Sequence, residues 1–170
     1  METICPELEI EFLNPRWKHI YKVEKGAELV KGKSGQSGKI LEAARGVTEQ
    51  FGCYSWTANR AVMYCGSFSE YSAKHFQTNF EGRIYQYLVN HKRDSTGSPM
   101  NTNAEVFDHI NHALLESEIV LQVFLFERCR LGSESVDFSA YTTDPFLIRA
   151  VEKLLICLYR RRGQCKWNKK

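Results

Sequence analysis

Hydrophobic and polar positions follow two periods along this chain, and the clearest stretch is residues 118–126, where apolar side chains run almost without a break. Such a run predicts a strand buried on both faces, the central strand of a sheet. Residues 51–56 and 61–68 are aromatic-rich and β-prone, and Thr57, Ala58, Asn59 and Arg60 join them as a hairpin. Helical spacing follows at residues 82–91 and 103–115, separated by a turn-rich stretch at 94–99. The last helix starts with Asp144 as cap and Pro145 in the first turn. It carries Leu147, Val151, Leu154, Leu155 and Leu158 as its core stripe, and Gly163 ends it after Arg162. Residues 1–50 read as an N-terminal extension. It holds a short strand at 9–13, a break at Asn14 and Pro15, a basic glycine- and serine-rich loop at 32–39, and a helix at 39–51 with Ile40, Leu41, Ala44 and Val47 on one face. The order β-β-α-α-β-α in residues 51–170 predicts a small α/β (α+β) sandwich, with a three-stranded antiparallel or mixed sheet flanked by helices.

Composition narrows the class. With 43% hydrophobic and 25% charged residues in 170, the chain is long enough for one domain with a real core. No apolar run approaches the roughly 18 residues of a membrane helix, and Met-Glu-Thr-Ile-Cys-Pro lacks the pattern of a secretory signal. A cytoplasmic protein is therefore expected. Six cysteines without a C-x-x-C pair point to reduced, buried thiols rather than a zinc knuckle or dithiol site. Net charge is only +3, yet Arg160, Arg161, Arg162, Lys166, Lys169 and Lys170 crowd the C-terminus with no acid among them. That patch suits phosphate, and a solvated basic tail fits the charge equally well. The segment from Gly32 to Lys39 invites a phosphate-loop reading. However, five residues separate Gly32 from Gly38 and Ile40 follows Lys39, so no nucleotide cofactor is expected.

Several polar residues stand in apolar settings. Glu152 is surrounded at helical spacing by Ile148, Leu155, Ile156 and Tyr159. An unpaired buried carboxylate there would cost several kcal/mol, which a divalent cation, an arginine, or water reached at the stripe edge beside Arg149 or Lys153 would relieve. Arg83, Tyr87 and His91 share one helical face, which could hold a phosphate or be a surface stripe with one half-buried aromatic. His109 and His112 alone do not define a metal site. Lys74 and His75 fall where the pattern specifies no element; with His91 they are auxiliary candidates. Two tyrosines ten positions apart, in Gly52-Cys53-Tyr54 and Tyr64-Cys65-Gly66, put repeated phenols on paired strands, and a phenol that can accept a proton points to hydrolysis.

Gly52-x-Tyr54, Tyr64-x-Gly66-Ser67, Arg83-x-x-x-Tyr87, Glu152 and Trp167-Asn168, taken in order, resemble the GIY-YIG endonuclease family. The resemblance spans residues 51–168 and implies a metal-dependent nuclease that hydrolyses DNA phosphodiesters. Under it, Glu152 is the sole protein ligand of Mg²⁺, for which Mn²⁺ may substitute, and Arg83 stabilises the scissile phosphate. Tyr54 is the general base, with Tyr64 its hydrogen-bonded neighbour or substitute. Tyr87 positions phosphate or water, and Asn168 steadies the site. Cys53 and Cys65 stand where the family has aliphatic residues. The interval from Gly66 to Arg83 is longer than usual, and Tyr87 replaces a common histidine. Among the branches, a stand-alone Type II restriction endonuclease acting on double-stranded DNA, with a homodimer on the duplex, fits the length best. A repair or branched-DNA nuclease and a non-catalytic DNA-binding module are the alternatives.

Overall fold

The computed structural model describes residues 17–48, 51–69, 79–124, 128–131, 134–137 and 145–169. They form an α+β fold with a four-stranded antiparallel sheet and four helices. Along the chain run β1 (Lys18–Val23), α1 (Gly35–Arg45), β2 (Phe51–Ala58), β3 (Ala61–Ser69), α2 (Phe80–Leu88) and α3 (Thr102–Leu114). After them come β4 (Ile119–Phe124), the small β5 (Arg128–Leu131) and β6 (Glu134–Asp137) hairpin, and α4 (Pro145–Arg161). The main sheet has the order β1-β4-β2-β3, so β4 is interior, as its apolar run requires, and β1 and β3 are the edges.

The expected three-stranded sheet is corrected to four strands. The added strand, β1, pairs with β4 through Lys18↔Val123 and Val23↔Ile119, with an irregularity between His19 and Tyr21. Its weak sequence signal has a cause: it is an edge strand whose residues are mostly exposed or half-buried, so Lys-His-Ile-Tyr-Lys-Val carries little apolar alternation. Residues 9–13 and Asp144, expected as a strand and a cap, lie outside the described residues. The helix expected at 39–51 begins earlier, at Gly35, and ends at Arg45, with Gly46 as its C-cap. Gly38 is required there because a Cβ would meet the Lys33 carbonyl oxygen at 2.3 Å. The helix expected at 82–91 stops at Leu88. In α4 the buried stripe is Ile148, Val151, Leu155 and Tyr159, whereas Leu154, expected inside, is 36% exposed.

The sheet separates two apolar clusters. On one face Tyr54, Trp56, Tyr64 and Phe68 pack with Phe80, Ile84, Tyr87 and Leu88 of α2 and with α1 and α3. On the other, Cys53, Val62 and Cys65 pack with Ile148, Val151, Leu155 and Tyr159 of α4. The β2–β3 hairpin closes through Asn59 and Arg60, at φ 50° and 63°. Two successive left-handed residues make the tight hairpin turn whose twist matches the strands. Register is Thr57↔Val62 but Trp56↔Tyr64, so β3 carries one extra residue, Met63. This bulge allows Val62 to face α4 while Tyr64 faces α2. Among the described residues no helix is long and apolar enough to cross a membrane.

Candidate active site

Tyr54 and Tyr64 come to one face of the hairpin by register. Tyr54 pairs with Gly66, and Tyr64 with Trp56. The Tyr54 ring lies across Gly66, where a Cβ would fall 2.3 Å from the phenol oxygen, so only glycine leaves room. Gly52 is held less tightly, with a Cβ position 2.9 Å from the Phe68 ring and 3.0 Å from the Phe124 carbonyl oxygen. The two glycines of the paired tripeptides are therefore demanded by ring packing.

Helix α2 brings the third phenol and the cation. Asn79 caps its start by accepting from the Gly82 amide, and Ile84, Tyr87 and Leu88 turn into the core. Tyr87 Oη lies 2.5 Å from Tyr54 Oη and 3.0 Å from Tyr64 Oη, so Tyr87 joins two phenols that share no direct hydrogen bond. Arg83 Nε donates to Tyr54 Oη at 3.3 Å, Nη1 donates to Gln86, and the guanidinium lies 5.8 Å from the centre of the Tyr87 ring.

Donor chemistry gives this cluster a direction. A guanidinium can only donate, so Tyr54 accepts from Arg83, while either oxygen can be the donor in the Tyr54–Tyr87 and Tyr87–Tyr64 bonds. The arrangement that gives each fully buried hydroxyl proton an acceptor runs from Tyr54 to Tyr87 to Tyr64 and leaves the Tyr64 proton for an acceptor outside the cluster. Tyr54 and Tyr87 are fully buried, and only Tyr64 retains slight exposure at 5%. Burial pushes the Tyr54 phenol well above its usual range, Tyr87 adds to this, and Arg83 opposes it. Tyr64 is raised by the same causes in the same order, with Glu152 a minor addition. Arg83 is held charged, chiefly by its proximity to Tyr54 and then Tyr87. Tyr54 and Tyr64 therefore rest protonated at pH 7.

Glu152 lies across the sheet. It is half-buried on α4, and Ser67, the register partner of Cys53, donates a short hydrogen bond to Oε2. Glu152 therefore has a hydrogen-bond partner, and among the described residues it forms no ion pair with Arg149 or Lys153. No hydrogen bond among the described residues joins Glu152 to Arg83 or to a tyrosine, although its charge reaches Tyr64, Cys53 and Cys65 and raises all three. The two halves meet along the edge strand β3. There the C-terminal segment covers the edge. The Cys165 amide donates to the Val62 carbonyl at 2.6 Å, and the Trp167 amide to that of Met63 at 2.9 Å. Asn168 continues this pairing with its side chain, accepting from the Cys65 amide at 2.9 Å and donating to its carbonyl at 2.8 Å. Arg160 fixes the segment by donating to the carbonyls of Asn168 and Lys169. Asn168 thus holds the residue between Tyr64 and Gly66.

His91 is not brought to this cluster. Helix α2 ends before it, so the expected shared face with Arg83 and Tyr87 is lost, and the imidazole packs edge-on against Phe107 at 4.6 Å. Lys74 and His75 lie outside the described residues. His109 stacks on Trp167 at 5.6 Å, a packing role. Cys53, Cys65 and Cys165 are buried free thiols, with Cys65 and Cys165 sulfurs 3.6 Å apart. The contact that sequence reasoning missed is Ser67 with Glu152. Ser67 was visible beside Gly66, but only the packing of α4 on β3 reveals its partner.

Comparisons of the chain with known protein families, curated proteins and solved structures return no match.

Proposed function

We propose that the chain is a GIY-YIG-type, divalent-metal-dependent endonuclease that hydrolyses DNA phosphodiester bonds. The observation that carries this reading is that three hydroxyl-linked phenols and Arg83 lie together on one face of the β2–β3 hairpin, while Ser67 of β3 holds the Glu152 carboxylate on the other. The donor set around Glu152 is one carboxylate with one hydroxyl beside it, and no cluster of three His, Cys, Asp or Glu exists among the described residues. That oxygen-only set suits a hard cation such as Mg²⁺, or Mn²⁺ in its stead, which keeps most of its water and takes phosphate oxygens. Bound at Glu152, the cation would supply Lewis-acid stabilisation of charge on the phosphate and a more acidic water.

The protein's own part follows from the hydroxyl chain. A phosphate beside Ser67, past the stretch of β3 that the C-terminal segment covers, would have Glu152 on the α4 face of the sheet and Arg83 on the α2 face, and Arg83 would offset the charge that develops on it. In its resting direction Tyr64 donates outward, so it binds a phosphate oxygen or a water lone pair. To accept a proton from the attacking water, the chain must first release one outward through Tyr64 to bulk solvent, Tyr87 giving its proton to Tyr64 and Tyr54 its proton to Tyr87, which leaves Tyr54 a phenolate. It then reverses, with Tyr64 taking the water proton and passing its own to Tyr87, and Tyr87 passing one to Tyr54. Arg83, beside Tyr54, favours that phenolate, whereas burial disfavours it. This arrangement makes Tyr64 the outer contact and Tyr54 the inner store of charge, a different division from a base role for Tyr54 alone.

The substrate reading we favour is double-stranded DNA cut in the manner of a Type II restriction enzyme, with two copies supplying one site per strand. The test is plasmid cleavage with Mg²⁺. Glu152→Ala is expected to abolish cutting while DNA binding persists, and Arg83→Ala to reduce it by about 10²–10³-fold. Discrete fragments from long duplex support restriction, and activity confined to flaps or junctions would make it a branched-DNA nuclease. Wild-type protein that binds DNA and never cuts would leave a binding module.

A further inference from the structure

The basic C-terminal run acquires a definite shape once α4 is folded. Arg149, Lys153 and Arg161 are exposed on this helix, and Arg162 and Lys166 continue past its end, also exposed. Among the described residues none of the five has an acidic partner: every ion pair present involves other side chains. Arg149 and Lys153 are the cations nearest Glu152 in helical spacing, yet Ser67 occupies that carboxylate and leaves both free. Arg160, by contrast, is spent on holding the C-terminal segment.

The strip runs in a known direction. Glu152 meets Ser67 near the C-terminal end of β3, whereas Gln164, just past the helix, accepts from the Val62 amide near its start. The cations therefore lead from the candidate site toward the β2–β3 turn. From Arg149 to Arg161 the helical rise spans about 18 Å, close to five base pairs of duplex. At the far end stands Arg60, exposed and held at φ 63° in the second turn position, where glycine would be unstrained. A cation kept at such a position is a reason to look for its use.

We propose that Arg149, Lys153, Arg161, Arg162, Lys166 and Arg60 form a track that seats the nucleic-acid backbone leading away from the Glu152 site. The inference rests on the nuclease reading for what happens at Glu152, but the track binds without metal and without cutting. A duplex backbone fits it better than an anionic membrane, because Leu154 is the one large hydrophobic side chain exposed on this helix among its described residues, set among the cations.

The test is fluorescence anisotropy of a labelled 30-base-pair duplex in EDTA, titrated over a range of salt concentrations. Arg149→Ala with Lys153→Ala, and separately Arg161→Ala with Arg162→Ala, should each lower the slope of log affinity against log salt by about 1.8, at 0.9 per phosphate. The loss should be equal on unrelated sequences. Lys25→Ala with Lys39→Ala, two exposed cations elsewhere, should leave the slope unchanged, and unchanged thermal midpoints would exclude misfolding. An unchanged slope in the track variants, or an equal loss in the Lys25 and Lys39 control, would overturn the track. Glu152→Gln separates the two readings. Track variants that lower the slope in a protein that never cleaves leave the track standing without the nuclease; cleavage by a protein whose track variants keep their slope leaves the nuclease without the track.

Discussion

A β-carbon built on Gly66 would lie 2.3 Å from the Tyr54 oxygen and 2.4 Å from the carbon that bears it, so this glycine and that ring form one unit. Gly66→Ala is expected to destabilise the protein by about 1–3 kcal/mol through overpacking and to misplace the phenol cluster. In a Tyr54→Ala background the same change should cost far less, and chemical denaturation of the four proteins of this cycle measures the coupling. Ser67 makes a second residue-scale prediction. Its hydroxyl orients Glu152, so Ser67→Ala should weaken Mn²⁺ binding about 10–100-fold by calorimetry, and Ser67→Thr should restore it. Equal Mn²⁺ affinity in the alanine variant would remove Ser67 from the site. The sequence made the identity of these residues legible but not their contacts. Gly66, Tyr54, Arg83 and Tyr87 stand at readable spacings, whereas the meeting of Tyr54 with Tyr87 and of Ser67 with Glu152 depends on how helices cross the sheet.

Elements were legible where a strong pattern coincided with burial. The β2–β3 hairpin, α3 and β4 follow directly from aromatic, helical and continuous apolar patterns, and the structure moves their ends by only a few residues. Edge strand β1 was not legible because half-exposed positions carry no clear alternation. The C-terminal end of α2 was misread because Val89 and His91 continue an apolar pattern after the backbone has left the helix; Val89 already has ψ −48° with φ −124°. The hairpin turn yields a prediction at this scale. Arg60→Gly relieves a left-handed arginine, worth up to about 1 kcal/mol net of the entropy that glycine restores to the unfolded chain. The thermal midpoint should rise by about 2–4 °C. The same variant should lower the salt slope of duplex binding by about 0.9, one phosphate, so that stability and binding move in opposite directions. A fall in the midpoint would mean that the Arg60 side chain stabilises the turn.

For the whole molecule, the main consequence is that the phenol cluster is part of the larger core, so its ionisation is tied to global unfolding. Tyr54 and Tyr64 are raised in the folded protein, chiefly by burial, above the value near 10 that a free phenol has. A raised folded pKa means that the native state keeps a proton the unfolded chain has lost. The stability this contributes is complete below about pH 10 and is lost as pH climbs from there through the folded values. Each such phenol steepens the loss by up to about 1.4 kcal/mol per pH unit in that window. Urea denaturation from pH 8 to 11 should therefore give a fall that begins near about pH 8.5, where the unfolded thiols of Cys53 and Cys65 ionise, and steepens near about pH 10 as the phenols join, with the steeper limb shallower by one proton's worth in Tyr54→Phe. If wild type and Tyr54→Phe decline with the same slope, Tyr54 ionises in the folded protein as readily as in the unfolded chain. Arg83 would then be offsetting burial in full, and a phenolate on Tyr54 would be available to the hydroxyl chain before any cation binds. A shallower slope in the variant instead leaves the phenolate inaccessible in the free protein, so that under the proposed nuclease reading proton uptake through Tyr64 would wait for charge brought to the site from outside.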